Sequence, residues 1–171
     1  MITGLGIQCI HVPLTWHEIV QATTVGCMRQ IDSLKKKSKQ GNNRPNKDNW
    51  TPHIEGACGE LAVAKHCKGY WPGTVGNPDA PDVCINGVWY EVKTNCSRGK
   101  TDLIAMEKDT DVRPYIGVLC YLPDFYITGW LPADKVKIQK WWREGDPHRW
   151  AHFVPAGELR SINDLLKQEA T

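Results

Sequence analysis

Pro81-Asp82-Val83-Cys84-Ile85-Asn86-Gly87-Val88-Trp89-Tyr90-Glu91-Val92-Lys93 decides how this chain is read. Two β-prone runs, Val83-Cys84-Ile85 and Val88 to Lys93, flank Asn86-Gly87. Asn-Gly is the preferred two-residue hairpin turn, because type I′ geometry needs positive φ at both central residues. With that turn, Ile85 faces Val88, Cys84 faces Trp89, Val83 faces Tyr90 and Asp82 faces Glu91. Opposed residues share a face of the sheet, with Cβ atoms about 4.5–5.5 Å apart. Lys93, two residues past Glu91, shares that face. Opposed carboxylates destabilise a strand pair and raise one pKa unless a cation intervenes. Hard oxygen donors in that arrangement suit a divalent cation, Mg²⁺ or Mn²⁺. The plainer reading is that Asp82 ends a turn while Glu91 and Lys93 decorate a solvated face.

Outward from the hairpin, the upstream half reads as two helices. Residues 15–37 carry Trp16, Ile19, Val20, Thr23, Cys27, Ile31 and Leu34 at helical spacing. Thr15 and Glu18 form a capping box at the start, and Lys35, Lys36 and Lys37 suit the C-terminal end of the dipole. Residues 38–52 are polar, with Gly, Asn and Pro, and read as a loop. Residues 53–67 read as the second helix, and Gly69 to Pro81 as turns. Downstream, Tyr115 to Leu122 and Phe125 to Leu131 read as strands turned at Pro123-Asp124. Pro132 to Trp142 reads as a short helix, Gly145 to Trp150 as loop, and Phe153-Val154 as a short edge strand. Ser161 caps a last helix over 162–168. The fold class is therefore α+β, a central mixed β-sheet flanked by helices.

Composition narrows the function classes. At 171 residues the chain is one domain's worth, and 41% hydrophobic with 23% charged residues argues against disorder. No run of apolar residues is long enough to cross a membrane, and the N-terminus lacks the pattern of a signal peptide. A net charge of +2 is far below that of a protein coated for nonspecific nucleic-acid binding. Local basic patches remain compatible with it. The 7 Cys are odd in number and contain no Cys-x-x-Cys, so reduced thiols in the cytoplasm are expected. Cys58, Cys67, Cys84 and Cys120 read as small hydrophobes. His53, Cys58, His66 and Cys67 match no common zinc spacing.

Pro81-Asp82, then Glu91-Val92-Lys93, with Glu60 on the helix upstream, resembles the PD-(D/E)xK nuclease superfamily. The resemblance covers residues 53–131. It implies a restriction-endonuclease-like core, with residues 1–52 as an N-terminal helix and basic loop. It leaves residues 132–171 as a C-terminal helical extension within one domain. It further implies a metal-dependent deoxyribonuclease, an endonuclease by preference. Asp82, Glu91, the Val92 carbonyl and Glu60 would hold Mg²⁺ or Mn²⁺, and Lys93 would orient the attacking water. The small residues Gly56, Ala57, Gly59 and Ala64 would let the helix approach the sheet. Asp79 is a rival for Asp82, and Glu55 for Glu60. Chain length also resembles small phage-encoded members, which implies host cytoplasm.

The remaining expectations concern partners. Arg98, Lys100 and Asn95, just past Lys93, and Arg44 and Lys47 in the basic loop are candidate contacts to DNA phosphates. Trp141, Trp142 and Trp150 suit packing more than base stacking. His148 and His152 at i, i+4 lack a helix and a partner Glu. Many proteins of this fold act as dimers, so a homodimer is one expectation. The alternative function is a non-catalytic module on a nuclease fold that holds nucleic acid or inhibits a host protein.

Overall fold

The computed structural model describes residues 8–36, 50–97, 99–109, 112–145 and 149–167. Its central element is a five-stranded sheet in the order β1 (Ile10–Pro13), β6 (Asp124–Leu131), β5 (Tyr115–Tyr121), β3 (Val88–Asn95) and β2 (Val83–Ile85). All neighbours are antiparallel except β3 and β5, which run parallel. The sheet is thus mixed and the class is α+β, as the sequence predicts.

The hairpin forms in the expected register, Val83 opposite Tyr90, Cys84 opposite Trp89 and Ile85 opposite Val88. Asn86 and Gly87 have φ of 51° and 77°, the two positive values that a type I′ turn requires. Past Tyr90 the strand leaves β2 behind and takes a new partner. Glu91 pairs with Tyr115, Lys93 with Gly117 and Asn95 with Leu119. β5 is buried along nearly its whole length, as a strand covered on both faces should be.

Two helices lie upstream. α1 (Trp16–Lys35) starts at the predicted capping box, with Thr15 and Glu18 each bonding the other's backbone N–H. α2 (Thr51–Cys67) carries Pro52 in its first turn and ends at Lys68, whose φ is 51°. The helices cross closely at Gly26. A Cβ there would lie 2.6 Å from Ile54 Cα and 2.8 Å from His53 O, both backbone atoms. α2 in turn packs on the sheet through Gly59, where a Cβ would land on Thr94 Oγ1 of β3. Gly56, by contrast, has nothing within 4 Å of a Cβ, so it plays no part in that approach. Ala57, Cys58, Ala62 and Val63 of α2 are fully buried in one core with Val83, Ile85, Ile116 and Phe125 of the sheet. The far side of α1 leaves Trp16, Val20, Met28 and Leu34 at least half exposed.

The C-terminal third departs from the sequence reading. Among the described residues, 132–145 and 149–167 are strands and single turns, not a helical extension. Pro132 to Trp142 yields only one helical turn, α3 (Ala133–Val136), and a 3-10 turn, Gln139–Trp141. Flanking the stretch read as loop, of which residues 146–148 lie outside the described residues, are two strands, β7 (Trp142–Gly145) and β8 (Arg149–Val154). These join β4 (Leu103–Ala105) in a second sheet ordered β4, β8, β7. Phe153-Val154 therefore lies in a central strand, not at an edge. Its core is Leu103, Ala105, Tyr115, Leu131, Val136 and Val154. The last helix is a single turn, α4 (Asn163–Leu166), with Ser161 Oγ accepting the Asn163 N–H at 3.3 Å. No helix among the described residues is long and apolar enough to cross a membrane.

The two glycines of the helix pair predict opposite responses. Gly26→Ala must push α1 off α2 and should cost about 1–3 kcal/mol, roughly the penalty of overpacking. Gly56→Ala meets open space inside a helix and should gain about 0.5–1 kcal/mol. Urea unfolding monitored by circular dichroism of the two variants reads both effects.

Candidate active site

Asp82 sits one residue before β2. Its backbone N–H donates to Tyr90 O at 3.1 Å, extending the hairpin by one step. Its Oδ2 accepts the Val92 N–H at 2.7 Å. That N–H is available because β2 does not reach Val92, while the opposite edge of β3 is turned to β5. The N–H and C=O of one strand residue leave from the same edge, so the Val92 carbonyl projects beside Asp82. No Lys or Arg among the described residues forms an ion pair with Asp82. Burial, then the nearby Glu60 and Glu91 carboxylates, push its pKa well above the ordinary aspartate value. The Val92 N–H and Lys93 offset this only in part.

Glu91 and Lys93 share a face, as their i, i+2 spacing requires. Lys93 Nζ lies 3.8 Å from Glu91 Oε1 and 2.8 Å from Asp109 Oδ2. Arg113 Nε donates to Glu91 Oε2 at 3.1 Å, and Arg113 Nη2 lies at the same distance. Arg113 Nη2 also donates to Asp79 O at 3.0 Å. Asp109 is held in turn by the Met106 N–H at 2.7 Å, and Lys137 Nζ donates to the carbonyls of Glu107 and Asp109.

Glu60 meets a geometry the sequence does not suggest. Arg29 of α1 grips it bidentately, Nη1 to Oε1 at 2.6 Å and Nη2 to Oε2 at 2.8 Å. The Trp71 indole N–H adds 2.9 Å to Oε2. The pair is largely buried, with side-chain exposures of 19% and 6%, so three of the Glu60 acceptor sites are taken by Arg29 and Trp71. The close crossing at Gly26 is what brings Arg29, one turn further on, into reach. Burial works against the Arg29 charge, but the Glu60 bonds and then Asp82 hold its pKa above the ordinary arginine value.

The rivals resolve spatially. Asp79 is exposed, its N–H donating to Asn77 Oδ1 at 3.1 Å. Glu55 stands away from the Asp82 neighbourhood, against Cys96 and Cys120. Those three are the one group of His, Cys, Asp or Glu among the described residues whose ligand atoms all lie within 4.8 Å of one another. Glu60, Asp82 and Glu91 are therefore not drawn that close together, and His53, Cys58, His66 and Cys67 form no such cluster.

Among the expected phosphate contacts, Asn95 is engaged locally. Its Nδ2 donates to Asp102 O at 3.2 Å and its Oδ1 accepts the Ser97 N–H at 3.0 Å. Lys100 is exposed. Arg98, Arg44 and Lys47, like His148, lie outside the described residues. Trp142 packs on Trp150 and His152, with ring centroids 5.9 and 4.7 Å apart.

Arg29, Trp71, Asp109 and Arg113 are members of the site that sequence reasoning misses. Only Arg113 carries a local signal, standing next to the Pro114-Tyr115 start of β5. Compared with family models, with curated proteins and with solved structures, the chain gives no match.

Two predictions follow from the electrostatics. Arg29→Met leaves Glu60 buried and unpaired and should cost about 3–5 kcal/mol in urea unfolding. Arg29→Met with Glu60→Met should recover most of that loss. Asp82 binds its proton more tightly folded than unfolded. Stability therefore falls as pH rises from the ordinary carboxylate range, about 3.9, through the raised folded pKa. In EDTA, Asp82→Asn should melt several degrees above the wild type at pH 7, and the gap should close near pH 4. For a chain this size each kcal/mol moves Tm by about 2–4 °C.

Proposed function

We propose that this chain is a metal-dependent nuclease with a PD-(D/E)xK-type site on a restriction-endonuclease-like core, acting on DNA and endonucleolytic by preference. The observation that carries the reading is the Asp82 carboxylate. It has a raised pKa, two carboxylate neighbours, and no cation of its own among the described residues. A divalent cation relieves that repulsion directly. Asp82, Glu91 and the Val92 carbonyl offer hard oxygen donors that fit Mg²⁺ or Mn²⁺. When bound, such an ion acts as a Lewis acid on the phosphate and lowers the pKa of a bound water.

The chain's own groups take the remaining roles. Lys93, tethered by Asp109, would orient a water toward the scissile phosphorus and offset the charge that develops on it. Arg113 leans on Glu91 and sets its rotamer. Glu60, held by Arg29, acts on Asp82 through its charge and is a positioning residue. Lys100, which is exposed, would contact a phosphate of the DNA backbone. A homodimer would offer two such sites to a duplex.

One observation favours the alternative, a nuclease fold that binds nucleic acid or a host protein without cutting. Glu60 and Glu91 are already neutralised by Arg29 and Arg113.

Cleavage of plasmid, linear duplex, single-stranded and four-way-junction DNA in Mg²⁺, Mn²⁺ and EDTA tests the two readings. The nuclease reading expects cutting in either metal and none in EDTA. Glu91→Gln and Lys93→Met should each lower the rate by about 100–1000-fold. Failure to cut any substrate, with equal binding in metal and in EDTA, would move the reading to the binding module.

A further inference from the structure

A second cluster lies at the other end of β3. Cys96 follows directly after Asn95, the last residue paired with β5, and Cys120 follows directly after its partner Leu119. The parallel register therefore sets the two cysteines side by side. Glu55, in the second turn of α2, closes the group from the helix layer. All three ligand atoms lie within 4.8 Å of one another. Both thiols are free, and Cys120 is only 4% exposed. From Glu91 to Cys96 the strand advances five residues, about 16 Å, so this cluster is separate from the carboxylate site.

We propose that Glu55, Cys96 and Cys120 form a binding site for one thiophilic divalent cation of the zinc class, which ties α2 to β3 and β5. The donor set argues for this ion type. Two sulfurs and one carboxylate suit Zn²⁺ and disfavour Mg²⁺ or Ca²⁺, which take oxygen ligands. In a tetrahedral zinc site neighbouring donors stand about 3.5–3.8 Å apart, given bonds of about 2.3 Å to sulfur and 2.0 Å to oxygen. The cluster reaches that with side-chain shifts of roughly 1 Å. Cys58, one helical turn past Glu55, is fully buried. Its thiol pKa is pushed up to about 12, by burial first and by Cys120 and Glu55 next. The neighbouring Cys120, then burial, then Glu55 raise the Cys96 pKa, while Cys96 lowers that of Cys120. Binding exchanges the thiol protons for the metal.

The test uses the full chain, fully reduced and stripped with a chelator, titrated with Co²⁺ and then with Zn²⁺. One equivalent of Co²⁺ should give a thiolate-to-cobalt charge-transfer band in the near ultraviolet. Zn²⁺ should abolish the band, and a thousandfold excess of Mg²⁺ should leave it unchanged. Cys96→Ser and Cys120→Ser should each weaken Co²⁺ binding at least 100-fold, and Glu55→Gln at least 10-fold. Cys9→Ser should have no effect. If the serine variants fail to fold, alkylation of the wild type supplies the readout. One equivalent of Zn²⁺ should slow labelling of Cys96 and Cys120 but not of Cys84. No stoichiometric band in the reduced wild type would overturn the proposal. So would a band that survives Cys96→Ser with Cys120→Ser, or zinc protection confined to other cysteines.

Discussion

The parallel pairing of β3 with β5 is the constraint on which the rest depends. β3 begins as half of a hairpin and ends as the neighbour of a strand more than twenty residues downstream. The exchange of partners happens between Tyr90 and Glu91. At that point β2 has run out, the Val92 N–H loses its ladder partner, and the Asp82 carboxylate takes its place. A buried N–H needs an acceptor, so the carboxylate and the strand hold each other. The same pairing brings Arg113 against Glu91 at one end and Cys120 against Cys96 at the other.

Burial then sets the electrostatics. Glu60, Asp82 and Glu91 all lie near the contact of α2 with the hairpin, where water screens little. Two of them are neutralised by arginines that come from outside the hairpin, Arg29 from α1 and Arg113 from the crossover into β5. Asp82 is left with a backbone bond and two like charges. Such an imbalance is uncommon in a group kept only for stability, because a buried carboxylate without a counter-ion is costly. The close helix crossing at Gly26 belongs to the same design, since Arg29 reaches Glu60 only when α1 and α2 nearly touch.

The second sheet shows how short strands can depend on partners and not on propensity. β4 and β7 have three and four residues, and each owes its strand geometry to β8 between them. β4 belongs to the crossover between β3 and β5, so the small sheet anchors that crossover to the C-terminal hairpin. Asp109, which tethers Lys93, follows directly from this anchored stretch.

Local physics determined what was legible in the amino-acid order. Asn86-Gly87 set the hairpin and its register, because few residue pairs tolerate two positive φ values. Thr15 and Glu18 marked the start of α1 through bonds spanning three residues. The face shared by Glu91 and Lys93 followed from the alternation of a strand. The tertiary structure alone decided the parallel partner of β3, the grip of Arg29 on Glu60, the tether of Lys93 to Asp109 and the meeting of Glu55 with Cys96 and Cys120. β1, β4 and β7 also escaped the sequence, being too short for periodicity to register, and of β8 only Phe153-Val154 was legible. The reason is common to all of these. Each joins residues far apart along the chain, and no local pattern of side chains encodes which distant segment a strand edge or a helix face will meet.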